Sequence, residues 1–265
     1  MRRLLELKQV TKVFNPGTVN ERPALVDIDL EVAAGDFITI IGSNGAGKST
    51  LLNVIAGVYP PDTGSIRLEG QDITAWPEHR RARYLARVFQ DPLLGTAASM
   101  TVEENLALAL RRGDRKRLVR GVTPADRALF RERLAELGLG LENRLQDKVR
   151  LLSGGQRQAL TLLMATLKKP QVLLLDEHTA ALDPKTAEKI LDLTLKLVAE
   201  YRLTTLMVTH NLTQALRAGN RTLMMDEGRV VLDLRGEEKQ RATVSDLRAL
   251  FERRGTLSDR VLLAN

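Results

Sequence analysis

The chain has 265 residues, with 40 Lys+Arg against 33 Asp+Glu and a formal net charge of +7. It has no cysteine and only three histidines, which excludes a disulfide scaffold, a cysteine nucleophile, an iron–sulfur cluster or thiolate zinc, and leaves little for a histidine-rich metal site. Apolar residues make up 43% and charged residues 28%, an ordinary globular balance, so the basic excess asks for a phosphate-bearing ligand, an anionic membrane surface or nucleic acid.

The start, Met1-Arg2-Arg3-Leu4-Leu5-Glu6, is basic with no apolar run behind it, so no secretory signal is expected. No stretch approaches the roughly 20 apolar residues of a membrane span. Phe37-Ile38-Thr39-Ile40-Ile41 reads as a buried strand, and residues 49–57 as a helix stopped by Pro60-Pro61. Residues 64–73 read as one strand. From about Glu78 the arginine-rich segment reads as helix. Thr101-Val102-Glu103-Glu104 is a capping box opening a further helix, and Thr123-Pro124 opens another that Gly138 closes. A helix is predicted from Gly155 to Lys169, a buried strand from Gln171 to Leu175, and an amphipathic helix from Pro184 to Tyr201. Strands follow at 204–208 and 221–225, with a hairpin turn at Asp226–Arg229 into 230–234. This alternation predicts an α/β fold with a parallel sheet and a helical insertion between roughly residues 89 and 160.

Gly42-Ser43-Asn44-Gly45-Ala46-Gly47-Lys48-Ser49 fits GxxxxGK[ST] between a predicted strand and helix, the setting that the phosphate-binding loop requires. Its glycines let backbone N–H groups wrap phosphates, and the following helix adds its positive dipole end. Lys48 is expected on the β- and γ-phosphates, with Ser49 on Mg²⁺ and Thr50 beside it. Val172-Leu173-Leu174-Leu175-Asp176-Glu177 ends a buried strand in two carboxylates. Asp176 suits a Mg²⁺ shell, and Glu177 suits polarising an attacking water. An acidic pair after a strand is by itself more often a turn or a solvated edge; the phosphate loop reverses that weighting. Together they define a P-loop ATPase. No Asn-Lys-x-Asp element reads guanine, so ATP is expected.

Leu152-Ser153-Gly154-Gly155-Gln156, with Ser153 lying 23 residues before Asp176, resembles the signature of ATP-binding cassette (ABC) proteins. Ser153 is suited to cap the next helix, while Gly154 and Gly155 permit close backbone approach. The rest of the family's pattern occurs in order. Gln90 matches the glutamine that contacts Mg²⁺ and water, His210 the histidine that meets the γ-phosphate, and Asp183 the residue that touches a partner subunit. Phe14, 34 residues before Lys48, matches the aromatic that stacks on adenine. The likeness covers residues 4–235. His178 stands where the family usually has proline, Ala181 where serine is frequent, and Phe14 where tyrosine is commoner. His178 is read as filling its position rather than sensing nucleotide.

The resemblance implies a single ABC ATPase domain over residues 1–235. It has a P-loop NTPase (RecA-like) core of 1–88 and 160–235 with an N-terminal antiparallel β subdomain, an inserted α-helical subdomain at 89–159, and a C-terminal helical extension at 236–265. It implies Mg²⁺-dependent ATP hydrolysis in a head-to-tail dimer of two copies, with Ser153, Gly154, Gly155 and Gln156 of one facing the nucleotide of the other. It further implies a peripheral subunit on the cytoplasmic face of the inner membrane. Integral permease subunits would supply the span, and an extracytoplasmic solute-binding protein would deliver the solute, with Leu93, Leu94 and Met100 forming the groove for the permease. The stretches 15–25 and 176–189 look like an importer group handling amino acids or related small solutes. The ATPase of an exporter is the alternative, and a ribosome- or nucleic-acid-associated ATPase a weaker one, since those relatives carry two cassettes, long coiled coils or zinc cysteines. No nucleic-acid partner is therefore expected. Residues 78–133 carry 13 Lys+Arg and 7 acids, a net +6. The run Arg111 to Arg120 is expected either to lean on anionic inner-leaflet lipid or to form a solvated face.

Overall fold

A computed structural model of the chain describes residues 3–114 and 121–253. In chain order its elements are β1 (Arg3–Phe14), β2 (Arg22–Ala33), β3 (Phe37–Gly42), α1 (Lys48–Ala56), β4 (Thr63–Leu68), β5 (Gln71–Asp72), α2 (Glu78–Arg81), β6 (Leu85–Val88), α3 (Val102–Leu110), α4 (Pro124–Ala135), α5 (Gly154–Thr166), β7 (Val172–Asp176), α6 (Pro184–Tyr201), β8 (Thr204–Val208), α7 (Leu212–Arg217), β9 (Arg221–Asp226), β10 (Arg229–Arg235), α8 (Gly236–Arg241) and α9 (Val244–Arg253). The described residues form two compact units, one up to Arg81 and again from Thr204, the other Ala82–Leu203.

In the first unit an antiparallel sheet runs in the order β2-β1-β4-β5. Leu7 of β1 pairs with Leu30 on one side and Ile66 on the other, all three buried. The stretch read from sequence as one strand over 64–73 is instead a hairpin. Glu69 and Gly70 both take positive φ, 51° and 81°, and Gln71 folds back opposite Leu68. Four further strands run in the order β10-β9-β3-β8. Every residue of β3 is buried, as its unbroken apolar run requires of a strand flanked by parallel neighbours, here β8 and β9. The predicted turn at 226–229 joins β9 to antiparallel β10. Leu247 and Phe251 of α9 pack with Leu212 and Ala215 of α7 and with Ile41 and Met224. Buried Lys239 of α8 donates to the carbonyls of Ala215, Ala218 and Arg221. The described part of the tail is thus tied to α7; residues beyond 253 lie outside the described residues.

In the second unit β6 runs parallel to β7, with Leu85 opposite Val172 and Val88 opposite Leu175. The reading of the segment after Glu78 as continuous helix is corrected here. Only Glu78–Arg81 is helical, and Leu85, Ala86 and Val88 are buried in a strand. Helices α3, α4 and α5 enclose a core that includes Leu106, Phe130, Leu134, Leu160 and Leu163, with Ile190 of α6. Their starts are fixed by reciprocal capping boxes, Thr101 with Glu104, Thr123 with Asp126 and Ser153 with Gln156. Much of the local basic charge is paired internally. Arg111 bonds Asp126 at 3.0 Å and Arg127 bonds Glu103 at 2.8 Å, while Arg112 reaches the Ala165 carbonyl. Arg115, Lys116, Arg117 and Arg120, the rest of the run expected either to lean on lipid or to form a solvated face, lie outside the described residues. Among the described residues no helix is long and apolar enough to cross a membrane.

Candidate active site

The first unit carries the phosphate loop. Strand β3 ends at Gly42, where a Cβ would drive into the Met225 carbonyl oxygen, so glycine alone lets the chain turn out of the sheet here. Gly47 takes φ +96° and a Cβ there would collide with the Ala24 carbonyl oxygen. It is the N-cap of α1, which has no side-chain cap. A helix start of this kind directs backbone N–H groups and a positive dipole end at whatever anion approaches. Ser43, Asn44, Gly45 and Ala46 make the intervening turn, closed by Ala46 N–H on the Ser43 carbonyl at 3.2 Å and held by Gly228 N–H on the Ala46 carbonyl at 3.1 Å. Arg22 donates to the Gly45 carbonyl at 3.3 Å. Lys48 is buried, its Nζ donating to the Gly42 and Ser43 carbonyls at 2.8 and 2.9 Å. Its ammonium therefore lies folded along the inside of the loop. Ser49 and Thr50 follow in the first turn of α1.

Phe14 ends β1 and meets Tyr59 edge to face, with ring centroids 5.2 Å apart, and Lys12 lies 5.9 Å from its ring. His210 sits between β8 and the N-cap of α7, Asn211, whose side chain accepts from Gln214 N–H at 2.9 Å. Thr209 is pinned on the other side by its N–H to the Ile40 carbonyl. His210 is thus bracketed by a strand end and a capped helix.

The second unit carries the remaining candidates. Asp176 closes β7, buried, and Arg87 donates to its Oδ2 at 2.7 Å. Glu177 follows in the left-handed region with φ +46°, a conformation that costs about 1–3 kcal/mol for a residue with a side chain and that concentrates at functional sites. Its carbonyl accepts from Ala180 N–H at 2.9 Å, forming the turn that leads to α6. His178 is fully buried and its Nε2 lies 2.9 Å from Thr194 Oγ1, which itself donates to the Ile190 carbonyl. The hydroxyl proton being spent, His178 must donate through Nε2. Burial pushes its pKa down to about 4, so the ring is neutral at physiological pH.

Gln90 is exposed two residues beyond β6. Ser153 Oγ accepts from Gln156 N–H at 3.2 Å, and the Gln156 side chain accepts from Ser153 N–H at 3.2 Å and from Arg144 at 3.0 Å. A Cβ on Gly155 would meet the Thr186 side chain closely, whereas one on Gly154 would make ordinary contact with Leu182. Gly155 is therefore required for α5 to approach α6 within this one chain. Asp183 caps α6 by accepting from Thr186 N–H at 3.1 Å, and hydrogen bonding from the Thr186 hydroxyl, with that N–H second, holds its carboxyl below the usual range.

Two supporting arginines escaped sequence reasoning. Arg81 is 1% exposed and donates to the carbonyls of Val54, Ile55, Thr74 and Trp76. Its cation closes the C-terminal end of α1, the helix that starts at the phosphate loop, where the dipole favours positive charge. Burial lowers its pKa to about 10, leaving it charged at neutral pH. Arg87 was counted only as part of a basic run. Its strand position, with apolar neighbours on both sides, was the available signal.

Among the described residues no cluster of three or more His, Asp or Glu is placed to hold a metal. The hydroxyl of Ser49 in the first unit and the carboxylate of Asp176 in the second are each hard oxygen donors of a type that Mg²⁺ accepts.

A profile of the ABC transporter family matches residues 25–180. The chain is 46% identical over 255 residues to a "Tyrosine transport ATP-binding protein" of Clostridioides difficile, covering 94% of this chain and 99% of that protein. This chain is a member of the ABC transporter family. Another relative, a "Methionine import ATP-binding protein" of Enterococcus faecalis, is 37% identical over 231 residues, covering 86% of this chain and 64% of that one. Among solved structures, an ATP-binding cassette of an ABC transporter in its ADP conformation matches with TM-score 0.78 and 28% identity over 96% of this chain and all of that one. A dimeric cassette in a post-hydrolysis state with ADP and Pi matches with TM-score 0.74 and 31% identity, over 88% and 98%. The chain is accordingly an ABC cassette that binds and hydrolyses ATP, with the P-loop α/β fold of that family.

Proposed function

We propose that this cassette energises an importer of a small amino-acid-class solute. It works as a head-to-tail dimer on the cytoplasmic face of the membrane, beneath separate permease subunits and fed by an extracytoplasmic solute-binding protein. The carrying observation is its end-to-end likeness to the tyrosine transport ATP-binding protein of C. difficile. A methionine import protein among its relatives supports the same solute class, and the dimeric cassette structure supports the pairing of two copies.

In this reading Phe14 stacks on adenine, and the backbone of 42–47 with Lys48, Ser49 and Thr50 grips the phosphates. Ser49, Asp176 and Gln90 hold Mg²⁺, which neutralises phosphate charge when bound. Glu177 orients and polarises the attacking water, while His210 steadies the γ-phosphate. The lysine and the loop N–H groups stand where negative charge grows in the transition state, so they serve hydrolysis as well as binding. The partner copy closes the site with its signature turn, Ser153 to Gln156, and its Asp183. His178 is taken to pack rather than to act, in keeping with its burial and its bond to Thr194.

Glu177→Gln separates binding from chemistry. It should bind ATP within about twofold of wild type, release phosphate about a thousandfold more slowly, and run as an ATP-dependent dimer on size exclusion. Phosphate release at the normal rate overturns the role of Glu177. Cells in which this variant replaces the wild-type chain should lose uptake of labelled tyrosine and related amino acids. Unchanged uptake overturns the solute class.

A further inference from the structure

Arg22 links two parts of the first unit that the proposed reading gives to nucleotide. It opens β2 directly opposite Phe14, the last residue of β1. Directly opposed residues of an antiparallel pair present their side chains on one face of the sheet, with Cα atoms about 5 Å apart. Arg22 thus starts beside the ring assigned to adenine. Its guanidinium ends on the phosphate loop, where Nη2 donates to the Gly45 carbonyl at 3.3 Å. A Cβ on Gly45 would lie only 2.6 Å from that nitrogen. Both residues are exposed. Among the described residues this long bond to a neutral carbonyl is the only polar contact of the Arg22 side chain, and no carboxylate pairs with it. Lys12, two residues before Phe14, is the opposite case: its ammonium bonds Asp62 at 2.8 Å, so its charge is already met.

We infer that Arg22 is a further phosphate-binding residue, a second cation for the part of the phosphate chain that ATP and ADP share. The inference rests on the assignment of residues 42–49 to phosphate. An arginine carries five N–H donors in a planar fork that matches two phosphate oxygens at once. One donor on Gly45 leaves the rest for a second acceptor. Phosphate adds a Coulomb attraction that a neutral carbonyl lacks. A loop of this type cradles the α- and β-phosphates with its backbone N–H groups, and Gly45 lies in the middle of the run 42–49. Lys48 is buried along the inside of the loop, on the Gly42 and Ser43 carbonyls. Arg22 approaches from the exposed rim, so the two cations address the phosphate chain from different sides. Their roles differ accordingly: Lys48 is built into the loop, whereas Arg22 is lent to it by the strand that faces the adenine stacker.

Binding of ADP and of a non-hydrolysable ATP analogue is measured by calorimetry on the full chain, at fixed Mg²⁺ and over a series of salt concentrations. Lys48→Ala is the control on the loop and should abolish binding of both nucleotides; if binding survives, the assignment of 42–49 fails and the inference with it. Arg22→Gln keeps an N–H donor but removes the charge. It should weaken both nucleotides about tenfold and make affinity less sensitive to added salt. Arg22→Lys keeps the charge but loses the planar fork, so it should weaken both about threefold and keep the salt dependence of wild type. Because Arg22 is exposed, both variants should melt as wild type does; should Arg22→Gln melt lower, Arg22→Lys carries the test alone. With the Lys48→Ala control behaving, three results overturn the inference. They are unchanged affinity in the arginine variants, a loss confined to the ATP analogue, and, in Arg22→Gln, a loss at unchanged salt dependence, which is what a brace of the loop without phosphate contact would give.

Discussion

Two helix starts in this molecule are assigned to phosphate, and they are built in opposite ways. Helix α1 begins at Gly47, in a left-handed conformation and with no side-chain cap. Helix α5 begins at Ser153, extended and reciprocally capped with Gln156. The first start is fixed from outside, by carbonyls of β2 and β9 that leave no room for a Cβ at Gly47 or Gly42. The second is fixed from within, by hydrogen bonds spanning three residues. An externally moulded start leaves its N-terminal donors to an anion in its own chain. A self-capped start stands complete alone and, on the proposed reading, meets phosphate only across a dimer.

That contrast is most severely tested at Gly47. Gly47→Ala should cost about 3 kcal/mol of stability through positive φ and backbone collision, and should weaken ATP binding about 100-fold, read by thermal melts and nucleotide titration. A well-folded variant with normal affinity would show that the outside mould is dispensable. His178 sharpens the comparison next, because it tests whether the second unit depends on its interior as the first depends on its loop. Its folded pKa, about 4 against an ordinary 6.5, means that the unfolded chain takes up the proton first. Stability should be complete above pH 6.5 and fall by about 3 kcal/mol as pH drops toward 4. His178→Gln should flatten that part of the pH–stability profile in urea unfolding. Ser153→Ala carries the smallest effect, about 1 kcal/mol from the lost cap. Nucleotide affinity of the isolated chain should stay the same, while ATPase activity falls with the dimer. A changed affinity in the single chain would erase the distinction between the two starts.

What sequence revealed follows the same division. Thr101 announced its helix because a capping box is written within four residues, Thr123 because proline follows at the first helical position, and Ser153 because a capping hydroxyl stands before two glycines. The phosphate loop was legible because its chemistry demands glycine at fixed spacing. Strand β6 was obscured because Arg80, Arg81 and Arg83 mask the short apolar set Leu85, Ala86 and Val88. The 69–70 turn was missed because Glu69 takes a positive φ that its residue type does not advertise. Arg81 and Arg87 read as surface charge, since nothing local tells an arginine's partners, which lie up to 27 residues away for Arg81 and 89 for Arg87. The reading of 111–120 as one outward basic face did not anticipate that Arg111 would be bound to Asp126 and Arg112 to the Ala165 carbonyl.

The left-handed backbone at Glu177 has an evolutionary price. Glycine, and to a lesser degree asparagine, would sit there with less torsional penalty, so replacing this glutamate is a route to a sturdier protein. On the proposed role of Glu177 in hydrolysis, a population selected for heat resistance alone would be drawn to that exchange and would converge on inert cassettes. On the same reading, demand for turnover is what keeps the acid in place.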